Sequence, residues 1–326
     1  MVHNTNKYPK ISVIIPVYIM TDYLLESIRG CLNLDYPNFE ILVVIDAKMK
    51  VIFSDKRIII LKTGLPRTGP AEKRDLAIAK ARGDLIAFLD DDSYPEKDWL
   101  KKTVEVMNRM KVSAVCGPGL TPPADNFSQK ITGSLLASCF GSGPYFYRFT
   151  KGNPRFVDDY PAYNMIVKKD TLLRVGGFST KFYGGEDTAL CLKLINGGEK
   201  IYYHPDIVVY HHRRSFPFEY IRQVGNVGLH RGYFVKKYPQ TSFRLSYFAP
   251  AIFTIGTPIF ILLLIILGRV PLLITLILTY YIGLFIYSLQ NNSAEISIFL
   301  PVAIVVNYLA YGSKFIKGLF LKKLER

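Results

Sequence analysis

The sequence predicts an α/β fold: a Rossmann-like, mostly parallel sheet flanked by helices, followed by transmembrane helices at the C-terminal end. Two observations predict it. From Pro9 to about Tyr247, short β-branched runs ("ISVIIPVY", "FEILVVID", "RIIILK", "GDLIAFLD", "VSAVCG") alternate with segments of helical spacing, as at Asp22–Cys31, Gly69–Ala81 and Glu96–Met110. Strands that are apolar on both faces and alternate with helices belong to a sheet covered on both sides. Beyond Phe248 the composition changes to three apolar stretches, Phe248–Gly268, Val270–Leu289 and Ile296–Gly312. Each has roughly the 17–21 residues with which a helix crosses a bilayer.

These patterns divide the chain into a catalytic-type domain over 1–245 and a membrane domain over 246–326. The second domain holds about three hydrophobic helices and a basic tail. Gly268–Pro271 forms a tight turn between the first two helices, and "QNNSAE" forms the second loop. The polar start "MVHNTNKYPK" and the short apolar run after it, broken by Pro16, predict no secretory signal and a cytoplasmic first half. Net charge is +15, from 41 Lys+Arg against 26 Asp+Glu. Much of the excess flanks the apolar region: Arg213, Arg214, Arg222, Arg231, Lys236, Lys237 and Arg244 before it, and Lys314, Lys317, Lys322, Lys323 and Arg326 after it. Juxtamembrane cations favour the cytoplasmic leaflet. This placement points to a multi-pass protein of the cell membrane and away from nucleic acid. Three spans would nevertheless put the two basic flanks on opposite sides. The four cysteines, Cys31, Cys116, Cys139 and Cys191, are scattered without CxxC pairing and read as buried free thiols.

Chemistry concentrates in three places. "GDLIAFLDDDSYP" drives a strand into Asp90, Asp91 and Asp92. Alternate side chains on an extended segment face the same way, so Asp90 and Asp92 can offer two hard oxygen ligands to Mg²⁺ or Mn²⁺. The competing reading is an Asp-rich turn capping the next helix. Ligands in such sheets bind at the carboxyl ends of strands, which favours the site. Farther on, "GGEDTALCLKLINGG" puts Glu186 and Asp187 after a Gly-Gly turn at a helix start. There a carboxylate can act as general base or simply cap the helix. Finally, "YHPDIVVYHHRRSF" supplies His211 as a possible metal ligand, and Arg213 and Arg214 as a phosphate clamp or a basic surface beside headgroups. "SQKITGSLLASCFGSGPYFYRF" between these motifs reads as an interfacial segment or a surface loop. "VDDYPAYN" reads as an acceptor contact or a strand entrance.

Taken in order, "ISVIIPVY", "FEILVVID", "GPAEKRDLAIAKARGDLIAFLDDDSYP", "GGF…GGEDTALCLKL" and "HHRR" resemble the family 2 glycosyltransferases of the GT-A fold, over Lys10 to about Tyr238. The resemblance implies an inverting, metal-dependent, membrane-attached enzyme. Asp90 and Asp92 match its metal-binding DxD motif, and Asp187, beside Glu186, its catalytic base. Pro16, Tyr18, Asp46, Arg74 and Asp91 match positions around the nucleotide sugar. "FEYIRQVGNVGLHRGYFVKKYP" and "NYLAYGSKFIKGL" resemble membrane-attached members that build surface glycans. Ile19 replaces a frequent Asn, Ile45 stands where a second Asp is usual, and Arg74–Asp75 replaces Arg-Asn. No Q-x-x-R-W follows Gln223, which argues against a polymerising synthase.

The expected partners are a nucleotide-diphosphate sugar (UDP- ahead of GDP-), a lipid-linked or polyprenyl acceptor, and the membrane. The expected role is transfer of the sugar to a hydroxyl of a polyprenyl-linked glycan in polysaccharide biosynthesis. Two alternatives are a polyprenyl-phosphate sugar synthase and a non-catalytic membrane assembly partner that keeps the fold.

Overall fold

A computed structural model describes residues 8–182 and 184–324. The first seven residues, on which the absence of a secretory signal was read, and Arg326 of the basic tail lie outside the described residues. The chain forms two compact units: residues up to 122 with 150–212, and 123–149 with 213 onward. The helical unit therefore begins earlier in the chain than the change in composition near Phe248, and takes in a separate upstream segment.

Among the described residues the first unit is built on eleven strands: β1 (Ile11–Pro16), β2 (Phe39–Ile45), β3 (Ile58–Lys62), β4 (Leu85–Leu89), β5 (Ser93–Pro95), β6 (Ala114–Cys116), β7 (Gly119–Leu120), β8 (Arg155–Val157), β9 (Asn164–Lys168), β10 (Ile201–Tyr203) and β11 (Val209–His211). Eight form one sheet in the order β3-β2-β1-β4-β9-β6-β10-β8. β3, β2, β1 and β4 run parallel. β9 is antiparallel to both of its neighbours. Every residue of β1, β2 and β4 is buried, as two-faced apolar strands require. Ser12, the polar exception in β1, donates its hydroxyl to Glu40 Oε1 at 2.7 Å and accepts the Gly83 amide at 2.9 Å.

A second sheet, β5-β11-β7, lies beyond the carboxyl end of β4. It corrects one expectation. The helix predicted from Glu96 begins at Trp99, because Ser93–Pro95 pair with β11 and bring His211 opposite Ser93. Helices Asp22–Leu32 and Pro70–Lys80 form where expected. Thr21 caps the first; Glu72, reaching back to the Gly69 amide at 2.9 Å, closes the second.

The helical unit contains Phe127–Ala137, Cys139–Ser142, a 3₁₀ turn at Gly143–Arg148, Phe218–Lys237, Pro239–Ser242, Leu245–Ile266, Val270–Leu289 and Ala294–Phe320. The stretch after Asn126 is thus helical and not a surface loop. Asn126 and Gln129 cap each other's backbone amides, both at 3.0 Å. Small residues bring helices close together. A Cβ on Gly228 or Gly232 would collide with the carbonyl of Tyr311 or Phe315, and one on Gly312 with that of Pro250. Leu245–Ile266, Val270–Leu289 and Ala294–Phe320 are each long and apolar enough to cross a membrane. The last continues past Gly312, so Lys314 and Lys317 are helical. Cys31, Cys116 and Cys191 are buried thiols as expected; Cys139 is exposed.

Asn164 locks the first unit. Its Oδ1 accepts from Trp99 Nε1 at 2.9 Å, and its Nδ2 donates to the carbonyls of Pro118 (3.1 Å) and Ile207 (2.7 Å), all buried. Asn164→Leu keeps the branched shape but strands one donor and two acceptors. We expect a loss of about 3 kcal/mol, read as a lowered thermal midpoint of the purified protein.

Candidate active site

The site forms at the carboxyl ends of β1, β2 and β4, where the chain leaves the sheet. Asp90 follows β4; the next two residues turn, and the Ser93 amide donates to the Asp90 carbonyl at 3.1 Å. Asp92 is buried, 7% exposed. His211 Nε2 lies 3.0 Å from Asp92 Oδ1, and the His212 amide donates to the Asp92 carbonyl at 3.0 Å. Asp90, Asp92 and His211 each offer a ligand atom, all within 4.8 Å of one another. His211 Nδ1 is buried without a hydrogen-bond partner among the described residues. Two carboxylates and one imidazole at this spacing fit a hard divalent ion such as Mn²⁺ or Mg²⁺.

Arg74, on the Pro70–Lys80 helix, joins the two acidic motifs. Its Nη2 donates to Asp90 Oδ1 at 2.7 Å and its Nη1 to Glu186 Oε1 at 3.0 Å. It is 3% exposed and its Nε has no hydrogen-bond partner among the described residues. The guanidinium also stands 5.4 Å from the ring centre of Phe178. The next residue on the helix holds the Gly-rich loop: Asp75 accepts the amides of Phe178 and Ser179, both at 2.8 Å, with Gly177 at φ +58°. Only glycine takes that conformation without strain, and a Cβ there would strike Asp75. This loop leads through Gly184 and Gly185, both at positive φ, into the Glu186–Asn196 helix.

Glu186 and Asp187 diverge. Glu186 is buried on Arg74, and its Oε2 accepts the Gly184 amide at 3.0 Å. Asp187 is half-buried and accepts the Ala162 amide at 3.2 Å. Burial, reinforced by the Asp187 charge and opposed by Arg74, pushes the Glu186 carboxyl up to about 7. Burial likewise raises Asp187 against the pull of Arg74, with Asp159 and Asp90 adding to the rise.

The remaining sequence-predicted residues are placed as follows. Pro16 ends β1, buried. The Tyr18 amide donates to Asp91 Oδ2 at 3.2 Å; its ring is exposed, with the Arg67 guanidinium 5.3 Å from its centre. Asp46 is buried and committed internally. It accepts from Thr68 Oγ1 (2.6 Å), the Thr68 amide (3.1 Å), Lys73 Nζ (2.9 Å) and Thr63 Oγ1 (3.3 Å). Although burial opposes it, the Thr68 hydroxyl and the Lys73 ammonium hold the Asp46 carboxyl below the usual range. Arg213 and Arg214 belong to the helical unit. There the Arg213 amide donates to Asp125 Oδ2 at 3.1 Å and its guanidinium lies 5.3 Å from the centre of Phe149; Arg214 is exposed. Sequence reasoning did not find Lys73 or Thr68, and noted Asp75 only as a departure beside Arg74, without its role in holding the loop. The signal available for Lys73 was its place beside Arg74, one residue earlier on a helix otherwise packed on β1 and β2.

The raised Glu186 carboxyl has a consequence for stability. Its pKa is about 7 folded against an ordinary 4.5, so its contribution is fully present below pH 4.5 and is lost as pH rises through 7. The thermal midpoint of the metal-free protein should therefore fall between pH 5 and pH 8, and Glu186→Gln should flatten that slope.

Residues 12–171 match the family model for glycosyl transferase family 2. A Methanococcus voltae protein, dolichyl N-acetyl-alpha-D-glucosaminyl phosphate 3-beta-D-2,3-diacetamido-2,3-dideoxy-beta-D-glucuronosyltransferase, is 28% identical over 250 residues, 70% of this chain and 74% of its own length. An uncharacterised Haemophilus influenzae glycosyltransferase is 36% identical over 107 residues; the match spans 30% of this chain and 42% of that relative. In fold, the chain resembles a mannosyltransferase from Pyrobaculum calidifontis, solved in complex with GDP-Man and Mn²⁺. The TM-score is 0.55 at 17% identity, over 97% of this chain and 88% of that one. A GT-A-like sheet, a family match that includes the Asp90–Asp92 turn, and glycosyltransferases among its relatives lead to one conclusion: residues 12–171 match glycosyl transferase family 2, and the chain is a glycosyltransferase.

Proposed function

We propose that the protein is an inverting glycosyltransferase of the cell membrane. Its sheet unit, on the cytoplasmic face, moves a sugar from a nucleotide diphosphate to a hydroxyl of a lipid-linked glycan. The observation that carries the reading is the double ion pair of Arg74, which gathers Asp90 of one acidic motif and Glu186 of the other around one guanidinium. The Methanococcus voltae relative, whose named acceptor is a dolichyl-phosphate-linked sugar, supports the acceptor class. The apolar helices support a membrane location.

Asp90, Asp92 and His211 would hold the divalent ion, which supplies positive charge to the diphosphate leaving group. Arg74 keeps Asp90 oriented and has its Nε–H left for a donor oxygen. Tyr18 offers an exposed aromatic ring beside Arg67 for the nucleotide. Glu186, tied to Arg74 and to the Gly184 amide, fixes the first turn of its helix. That leaves Asp187 as the accessible carboxylate. Held by the Ala162 amide, it takes the proton of the acceptor hydroxyl while that oxygen attacks the anomeric carbon. A single displacement inverts the configuration.

Asp187→Asn should leave donor binding by calorimetry nearly unchanged and cut transfer by at least about 100-fold, the range expected for loss of a general base; normal turnover by this variant would end the assignment. Asp92→Asn should abolish the metal dependence of nucleotide release, measured over a panel of UDP- and GDP-sugars with lipid acceptors. The acid limb of kcat/KM should lie above the ordinary aspartate range. The base must be ionised, and burial raises its pKa. Asp159→Asn, which removes a neighbouring negative charge, should move that limb to lower pH.

A further inference from the structure

Three apolar helices meet the length for crossing a bilayer, yet their contacts are not those of three successive spans. In an up-down-up arrangement the first and third helices run the same way. Here Leu245–Ile266 runs antiparallel to Ala294–Phe320: Phe248 packs on Phe315 with ring centres 5.0 Å apart, and farther along Thr254 Oγ1 donates to the Tyr308 carbonyl at 3.1 Å. Val270–Leu289 is antiparallel to the same helix at its other end. Tyr281 donates to the Ile298 carbonyl at 2.8 Å and Tyr280 to that of Pro301 at 3.0 Å. The first two helices therefore form a splayed hairpin whose open ends rest on the two ends of the third, with its turn at Leu267–Arg269.

The other side of the Ala294–Phe320 helix is bound to a charged one. Phe218–Lys237 runs parallel to it: Tyr220 donates to Asn307 Oδ1 at 2.6 Å, Gly228 and Gly232 abut Tyr311 and Phe315, and Lys236 Nζ donates to the Leu321 carbonyl at 2.9 Å. That partner carries Arg222, His230, Arg231, Lys236 and Lys237, with Arg222, Lys236 and Lys237 exposed. Taking one helix through hydrocarbon would take the other's charges with it, at a cost that polar chains in lipid do not recover. Facing away from this partner, Ile298, Phe299, Val302, Leu309 and Phe320 make an exposed apolar stripe at helical spacing.

We propose that the Ala294–Phe320 and Phe218–Lys237 helices lie together along the headgroup boundary as a basic platform on anionic lipid, and that only Leu245–Ile266 and Val270–Leu289 cross the membrane. Charge agrees. The segments 123–149 and 213–326 contain fifteen Lys and Arg against four Asp and Glu. With two crossings only Arg269, in the hairpin turn, reaches the far side, and both basic flanks fall on one side as the distribution of cations requires. Next to the start of the hairpin, the rings of Tyr145 and Tyr247 stack at 5.1 Å. Arg148 lies 4.6 Å from the centre of the first and Arg231 4.7 Å from that of the second, the aromatic-cationic pairing suited to headgroup depth.

The test labels single cysteines with a membrane-impermeant maleimide in sealed right-side-out and inverted vesicles. The background is Cys139→Ser, which removes the exposed native thiol. Lys323→Cys should react from the same side as Asn291→Cys and from the opposite side to Arg269→Cys. Reaction of Lys323→Cys from the side of Arg269→Cys would overturn the proposal. Nitroxide depth measurements at Ile298→Cys, Val302→Cys and Leu309→Cys in phosphatidylcholine–phosphatidylglycerol bilayers give an independent reading. Equal shallow depths at all three support a helix in the interface, and a progression through the bilayer centre refutes it.

Discussion

The buried guanidinium of Arg74 is the interaction on which the site depends. It is held on one helix, reaches a strand end at Asp90 and a helix start at Glu186, and is the cation bonded to both in a region that also contains Asp92 and Asp187. Carboxylates this close repel, and burial removes the water that would screen them. Burial and the Asp187 charge push the Glu186 carboxyl up to about 7 despite its ion pair. A site with such an excess of negative charge is suited to receive a divalent cation. Buried ion pairs add little net stability on their own, so the value of this one is in placement.

Placement extends along the same helix. Lys73 ties Asp46 and the Val17 carbonyl, the latter at 2.6 Å; Arg74 ties the two acidic motifs; and Asp75 ties the loop before Glu186. Three consecutive residues thus reach the ends of β1, β2 and β4 and the Gly-rich loop. Asp75 stands where the family frequently has Asn, and the difference has a physical content. Its two carboxylate oxygens accept two separate backbone amides, for which an Asn offers a single oxygen. Asp46, by contrast, is occupied by Thr68, Thr63 and Lys73, so its carboxylate braces the ends of β1 and β2 against the Pro70–Lys80 helix.

The helical unit follows a different logic. Two small apolar clusters, around Leu300 and around Phe315, pack its helices, glycines let their backbones approach, and polar bonds join them: Tyr220 to Asn307, and Asn307 Nδ2 to the Gly141 carbonyl at 3.0 Å. Hydropathy measures composition along one helix and is blind to what that helix packs against. The Ala294–Phe320 helix qualifies as a span by itself, whereas its bonds to a charged neighbour and its direction relative to the hairpin make it part of a platform.

By itself the sequence determined the alternation of strands and helices, the carboxylate run at the end of β4, the acidic pair after the Gly-Gly turn and the apolar, cation-flanked region. Each is a local pattern, set by side-chain periodicity and backbone preference. Tertiary structure decided which of these meet. The second sheet brings His211 to Asp92, and Arg74 bridges Asp90 and Glu186. Lys73 is committed to Asp46 and Asp75 to the loop, while residues 127–148 fold into the helical unit. Apart from His211, expected as a metal ligand, none of these was legible, because each joins residues far apart in the chain and a single sequence carries no record of distance in space.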